Sequence, residues 1–264
     1  MMALRIFIVS SGRAGNAKTY FAVPWATFFV PAGERDAYLA AYPSADIQTH
    51  TEKGIASTRQ ALLDFVGSGK LVMLDDDLSF YSRSSCGLKF ADISNDNRAI
   101  KRLFSEIEGA LDGFAHVGIA DEFRASFKPR ESAIGRRYYQ VLSYNIDLFP
   151  TPPPKFGRLE VNEEMDFHLQ LATVGCYSKV LTEWTKKSKP YSVGGCSTWR
   201  TAELELREHK KFVKLWPELV FMKKHAPSLS GHICNIRWHV LHKLRNSGTT
   251  YQKKSSGSFL FTGV

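Results

Sequence analysis

An α/β fold with a mostly parallel central sheet flanked by helices is predicted by three features of the sequence. Short runs of β-branched and aromatic residues alternate with helical stretches over residues 1–175, the pattern of a sheet covered on both faces. Two apolar runs end abruptly in polar loops, Val9 into Ser10-Ser11-Gly12-Arg13 and Leu74 into Asp75-Asp76-Asp77, and α/β folds bind ligands at the carboxyl ends of strands. At 264 residues, 44% hydrophobic and 23% charged, the chain can form one large domain with a sizeable core.

Leu4 to Val9 reads as the first strand, and the small polar loop behind it ends in the cation Arg13. Trp25 to Val30 reads as a second strand closed by Pro31-Ala32-Gly33-Glu34, and Glu34 to Ala41 as a short helix stopping before Tyr42-Pro43. Gly54 to Phe65 sets Ile55, Ala61, Leu62 and Phe65 among good helix formers, so a helix is expected there. Lys70 to Leu74 is a buried strand that runs straight into the three aspartates. Asn97 to Leu111 gathers Ile100, Leu103, Phe104, Ile107 and Leu111 on one helical face. Residues 114–120 and 139–149 read as two more strands around a basic loop with Arg130, Arg136 and Arg137. After the stiff connector Thr151-Pro152-Pro153-Pro154, Glu163 to Thr173 is helical, with Gly175 as its C-cap.

Several classes are excluded by what is missing. There is no G-x-x-x-x-G-K-[ST] and no G-x-G-x-x-G, so neither phosphate-loop nor dinucleotide-binding chemistry is supported. No apolar run approaches the ~20 residues that cross a bilayer, and the apolar stretch Ile6 to Val9 is too short for a signal peptide. Cys86, Cys176, Cys196 and Cys234 are widely spaced, without a C-x-x-C pair. Scattered thiols fit a reducing compartment, so a cytoplasmic location is expected.

The acidic run carries the first chemical signal. Three adjacent carboxylates at a strand end repel one another, and the arrangement is tolerated when a cation sits there. Hard oxygen donors beside a diphosphate suit Mg²⁺ or Mn²⁺, which would neutralise charge on a departing nucleoside diphosphate. A second acidic cluster is Val161-Asn162-Glu163-Glu164-Met165-Asp166-Phe167. The macrodipole favours acids in a first helical turn, but a carboxylate held there could also take the proton of an acceptor hydroxyl.

Charge is unevenly spread. Residues 179–254 hold 16 Lys/Arg against 5 acids, whereas residues 1–178 hold 19 against 21, so one third of the chain supplies all of the net +9. A polyanionic partner, nucleic acid first, suits such asymmetry. Trp184, Tyr191, Trp199, Trp216 and Trp238 are interleaved with these cations, and aromatic planes among cations can stack on bases.

Four segments together resemble a metal-dependent nucleotide-sugar transferase of the GT-A type, and in particular the phage-encoded TET-associated glycosyltransferase family. They are Ile6-Phe7-Ile8-Val9-Ser10-Ser11-Gly12-Arg13, Gly54-Ile55-Ala56-Ser57-Thr58-Arg59, Val72-Met73-Leu74-Asp75-Asp76-Asp77-Leu78-Ser79-Phe80 and Asn162-Glu163-Glu164-Met165-Asp166-Phe167. Gly194-Gly195-Cys196-Ser197 is similar to an acceptor-side loop. The resemblance implies one GT-A-like domain, with a nucleotide-sugar and metal core in residues 1–178 and a basic acceptor-side extension in 179–264. It implies Ser10, Ser11 and Arg13 near the nucleotide, with Arg59 near the diphosphate or sugar. Asp75 and Asp76 would face the donor, Asp77 and Asp75 would bind the metal, and a late histidine, His225 with His232 behind it, would add to the metal shell. Glu164 aligns with an acidic pair that supplies the base in inverting members. The family pattern there reads Glu-Asp and this chain reads Glu163-Glu164, so Glu163 and Asp166 stay open as alternatives.

The resemblance further implies a UDP-sugar donor with Mn²⁺ or Mg²⁺, and as acceptor the hydroxymethyl group of a modified pyrimidine in duplex DNA, 5-hydroxymethylcytosine first. Base extrusion and backbone phosphate contacts would expose that group. A glycan or protein acceptor, or nucleotidyl transfer, are the rival expectations.

Overall fold

The computed structural model describes residues 4–84, 89–121, 133–188, 199–247, 250–253 and 259–262. β1 (Arg5–Val9) leads through α1 (Lys18–Ala22) to β2 (Thr27–Pro31), and α2 (Arg35–Ala41) leads on to β3 (Ile47–His50). α3 (Ile55–Val66) precedes β4 (Lys70–Asp75), β5 (Ser79–Arg83) and β6 (Phe90–Asp92). Then follow α4 (Asn97–Ala110), β7 (His116–Asp121), β8 (Ala133–Ile134), β9 (Val141–Asn145) and α5 (Glu163–Ala172). The remainder holds β10 (Lys179–Lys187), α6 (Ala202–Leu215), β11 (Val220–Lys224), β12 (His232–Ile236), α7 (Trp238–Ser247), β13 (Thr250–Lys253) and β14 (Phe259–Thr262).

One sheet of ten strands runs in the order β3-β2-β1-β4-β9-β7-β10-β5-β6, with β8 against β10. β1 pairs in parallel with both β2 and β4, β2 with β3 and β7 with β10. β9 is inserted antiparallel between β4 and β7, and β5 runs antiparallel to β10 and β6. The expected α/β class with a mostly parallel sheet and flanking helices is therefore what forms. Among the described residues, no helix is long and apolar enough to cross a membrane.

Period-two alternation divides each central strand between two cores. Ile8, Val72 and Leu74 point to one face, where Ile100, Leu103 and Ile107 of α4 cover them together with Phe28 and Trp184. Phe7, Val9, Leu71 and Met73 point to the other, against Leu62 and Leu63 of α3 and Phe167 and Leu171 of α5. A third cluster joins Met165 and Leu169 of α5 to Phe212, Trp216, Leu219 and Leu241. α6, β11 and α7 thus pack behind α5.

Element boundaries shift modestly from expectation. The second strand starts at Thr27 rather than Trp25. Residues 139–149 shorten to β9 plus a 3₁₀ turn at Ile146–Leu148. The C-cap of α5 is Thr173, whose hydroxyl bonds back to the Leu169 carbonyl at 2.8 Å, and Gly175 follows at φ 89°. α1, β3, β5, β6, β8 and β10 lie outside the expected elements, as does every element from α6 onward. Trp184 and Trp216 are buried, so these two aromatics serve the core. Cys176 and Cys234 are free thiols; Cys86, Tyr191, Cys196, Arg130 and the Gly194 to Ser197 loop lie outside the described residues.

Candidate active site

The carboxyl ends of β1 and β4 lie side by side, Val9 in register with Asp75, so the two polar loops seen in the sequence emerge at one edge of the sheet. A cleft of about 690 Å³ opens there, within the range of small-molecule sites. Val9, Ser10, Ser11, Arg13, Arg59, Asp75, Asp76, Asp77, Glu163 and Glu164 all line it. Ten residues that sequence brings from four separate segments therefore share one wall.

The aspartate turn is held from below. Thr19, at the start of α1, donates its amide to the Asp76 carbonyl at 3.0 Å and its hydroxyl to the Asp75 carbonyl at 2.6 Å. The same hydroxyl accepts from Leu78 N at 2.9 Å. From the side, Asp75 N donates to the carbonyl of Gln140 at 3.1 Å. The turn is thus built before any ligand arrives.

The three aspartates are not equivalent. Asp76 is buried and accepts from the Ser10 hydroxyl and from Arg13 Nη1. Burial pushes its carboxyl up to about 6, while Ser10 and Arg13 act in the opposite sense. Arg13 Nη1 also lies 3.4 Å from Asp77 Oδ2. Tyr38, contributed by α2, touches Ser10 Oγ at 2.5 Å and accepts from Arg13 N at 3.2 Å. Burial raises that phenol to about 12, so Tyr38 stays neutral. Ser11 is turned outward: its hydroxyl and Gly12 N donate to the Glu34 carboxylate at 2.9 and 2.7 Å.

Arg59 joins the two acidic clusters. It stands on α3 with 3% exposure. Its Nη2 meets Asp75 Oδ1 at 2.9 Å, its Nη1 meets Glu164 Oε2 at 2.9 Å, and Nη1 also pairs with Glu163 Oε1. Burial works against the guanidinium charge, but three carboxylates outweigh it and hold it protonated. One cation cannot neutralise three acids. Burial therefore lifts Glu163 above the usual carboxylate range and Glu164 to about 7, against the pull of Arg59. Sequence reading set Arg59 beside the donor; its close partners in the structure are these acids.

Three candidates lie elsewhere. Asp166 is two residues beyond Glu164, more than half a helical turn, so it faces the far side of α5. There it accepts from Trp216 Nε1 at 2.6 Å and Gln170 Nε2 at 3.0 Å, with Arg158 Nε at 3.3 Å. His225 opens the turn between β11 and β12, its amide bonded to Gly231 O at 2.7 Å, and His232 Nδ1 contacts Ser230 O at 2.9 Å. Neither histidine lines the cleft.

The structure adds residues that sequence reading passed over. Among the described residues, the two non-glycine positions with positive φ are Gln140 at 68° and Asn162 at 65°, and both line the cleft. Backbone strain of this kind collects at functional sites. Asn162 caps α5 without a side-chain bond, and its buried Nδ2 has no partner. Arg200 also lines the wall, next to Trp199, one of the aromatics that the sequence sets among the basic residues. Thr19, Tyr38 and Gln140 left no sequence signal, because each acts through contacts distant in the chain.

Among the described residues, seven acids but only four Lys/Arg line the cleft. A polyphosphate entering alone would meet net negative charge, so a cleft of this composition favours phosphate accompanied by a divalent cation. Asp75 and Asp77 offer the hard oxygens such an ion prefers, and Mg²⁺ shared with phosphates needs only one or two protein carboxylates. No cluster of three or more His, Cys, Asp or Glu is arranged for metal binding among the described residues.

A model of the TET-associated glycosyltransferase family matches residues 4–195. Among solved structures, glucosyl-3-phosphoglycerate synthase from Mycobacterium tuberculosis, in complex with Mn²⁺, UDP and phosphoglyceric acid, aligns with TM-score 0.44 at 11% identity over 89% of this chain and 87% of that one. A putative glucose-1-phosphate thymidylyltransferase from Bacillus anthracis aligns with TM-score 0.38 at 13% identity, covering 69% of this chain and 89% of that one. No curated protein matches the sequence.

Proposed function

The chain belongs to the TET-associated glycosyltransferase family, and we propose that this glycosyltransferase moves a sugar from a UDP-sugar, bound with Mn²⁺ or Mg²⁺, to the hydroxymethyl group of a modified pyrimidine in DNA, 5-hydroxymethylcytosine first. The observation that carries the reading is the Arg59 bridge, which sets Asp75 at the end of β4 and Glu163 and Glu164 at the start of α5 around one guanidinium. Donor-side and acceptor-side acids thereby face a single cleft.

In this reading Ser10, Ser11 and Arg13 surround the nucleotide and Asp75 and Asp76 complete the donor wall. Asp77 and Asp75 would hold the metal, which when bound offsets the charge of the departing diphosphate. The acceptor hydroxyl attacks the anomeric carbon as the bond to the diphosphate breaks. Glu164, with Glu163 beside it, takes the hydroxyl proton, and direct displacement inverts the anomeric centre. Residues 1–178 serve the donor and residues 179–264 face the acceptor. The excess of basic residues in that last third supports a DNA acceptor, since phosphate contacts position a protein on a duplex.

The test is incubation of the protein with Mn²⁺, a panel of UDP-sugars, and duplex DNA with or without hydroxymethylated cytosine. UDP release and sugar on the DNA are expected only with the modified duplex. Release that instead requires a glycan or protein acceptor sinks the DNA assignment. Full metal-dependent turnover by Asp77→Ala sinks the metal assignment.

A further inference from the structure

We propose that Trp199 and Arg200 form a nucleotide subsite on the acceptor side of the cleft, the indole lying against a base and the guanidinium taking the adjoining phosphate. The proposal rests on the DNA-acceptor reading above and assigns that acceptor a place.

Of the four Lys/Arg residues lining the cleft, Arg13 is drawn onto Asp76 and Asp77 and Arg59 onto three acids. Lys53 stands exposed on a loop. Arg200 is held differently. Its Nη2 meets Glu205 Oε1 at 2.9 Å. The Glu205 side chain is 3% exposed, and its second oxygen accepts from Ser230 N at 2.7 Å. A carboxylate pinned in this way fixes the plane of the guanidinium. Arg200 Nε is buried without a partner, as is the Nε of Arg59; Arg200 differs in pairing with one acid rather than three and in keeping 29% of its side chain exposed, against 4% for Arg59. With Nη2 anchored and part of the side chain exposed on the cleft wall, the guanidinium is held in one plane from which it can bond a phosphate oxygen.

Its location favours the acceptor over the donor. α6 carries Glu205, which holds Arg200, and Glu208, whose carboxylate accepts from Glu160 N at 2.7 Å. Arg200 is thereby built into the same wall as the loop that leads into α5. The Arg200 charge also reaches Glu163 and partly offsets the effect of burial on that acid. A phosphate on Arg200 would lie beside the residues that receive the hydroxyl proton. Trp199 precedes Arg200 in the chain, is half-buried and lines the cleft; an aromatic plane there can stack on any base.

The donor diphosphate is the other possible source of phosphate, and the test separates the two. Binding of a fluorescently labelled hydroxymethylated duplex is measured by anisotropy for the full chain and for Arg200→Ala, Arg200→Lys and Trp199→Leu, with UDP–Mn²⁺ affinity measured by calorimetry in parallel. Arg200→Ala should weaken duplex binding by about tenfold and reduce the slope of log affinity against log salt by about one. Arg200→Lys should keep most of the salt slope but lose affinity, since it retains the charge without the fork. Trp199→Leu should lose about tenfold with the slope unchanged. Duplex affinity unchanged in Arg200→Lys and Trp199→Leu overturns the subsite. Weakened UDP affinity with intact duplex binding reassigns Arg200 to the diphosphate and also overturns it. If the unaltered chain fails to bind duplex DNA, the acceptor reading itself falls, an outcome distinct from the other two.

Discussion

Arg59 brings one positive charge to Asp75, Glu163 and Glu164, and its removal would leave the buried Glu163 and half-buried Glu164 with only the more weakly acting charges of Arg200 and Lys186. Arg59→Met should therefore lose about 3–5 kcal/mol at pH 7.5, as for other broken buried pairs, read from the urea midpoint. The pH dependence has a definite sign. Glu163 and Glu164 are already raised by burial, so the folded chain keeps protons that the unfolded chain has lost. Stability contributed by such groups is present at low pH and is lost as pH rises through the folded value. The deficit of Arg59→Met should therefore shrink at pH 5, and a deficit equal at both pH values would show that Arg59 acts by packing alone. Catalysis runs the other way. A base must be deprotonated to accept a proton, and Glu164 is lifted to about 7, so kcat/KM should rise with pH through neutrality. Glu164→Gln should remove that limb and cost about 10²–10⁴-fold in kcat; a persisting limb would move the role to Glu163. Acid beside a strand end or a helix start was visible in the sequence. The sharing of one buried arginine was not, because Arg59 and Glu163 are 104 residues apart.

At the scale of elements, what the sequence revealed depended on how strongly each segment was patterned. β1, β4 and α4 carry uninterrupted apolar faces and were legible. β10 was not: its sequence KVLTEWTKK reads as part of a basic stretch, yet it lies between β7 and β5. Lys186 is buried there, its Nζ bonded to Gln140 Oε1 at 2.7 Å and 3.7 Å from the Tyr139 ring centre. The antiparallel direction of β9 is likewise a matter of pairing, which composition does not encode. Behind the cleft, β7 meets α5 through an aromatic layer in which the Tyr138 ring is 4.2 Å from His168. Gly118 of β7 makes this layer possible, since a Cβ there would fall 2.0 Å from Tyr138 Cδ2. Gly118→Ala should force the ring against His168 and α5, with a loss of about 1–3 kcal/mol or more from overpacking. A melt unchanged from the parent would show that the layer yields freely.

For the molecule as a whole, counting charges pointed to the basic third but overstated its freedom. Lys186 is buried, Arg200 and Arg207 pair with Glu205 and with Glu160 and Glu208, and Arg237 serves the carbonyls of Pro217 and Glu218. Lys210, Lys214, Lys223, Lys224 and Lys243 remain exposed. The cleft has the opposite balance, with seven acids to four Lys/Arg among the described residues, and that contrast predicts that donor binding depends on a cation. UDP alone should meet the surplus carboxylates and bind poorly, and Mn²⁺ alone should find too few protein oxygens. Together each supplies what the other lacks. A ligand at 100 times its Kd adds about 2.7 kcal/mol of stability, roughly 5–10 °C in Tm for a chain near this size. Scanning calorimetry should therefore show a rise with UDP and Mn²⁺ together that clearly exceeds the sum of the two separate rises. Asp77→Ala should erase most of that excess while retaining the small shift from UDP alone. An equal rise with UDP in the presence of EDTA would mean that Arg13 and its neighbours bind the diphosphate without a metal, and the aspartate run would then need another role.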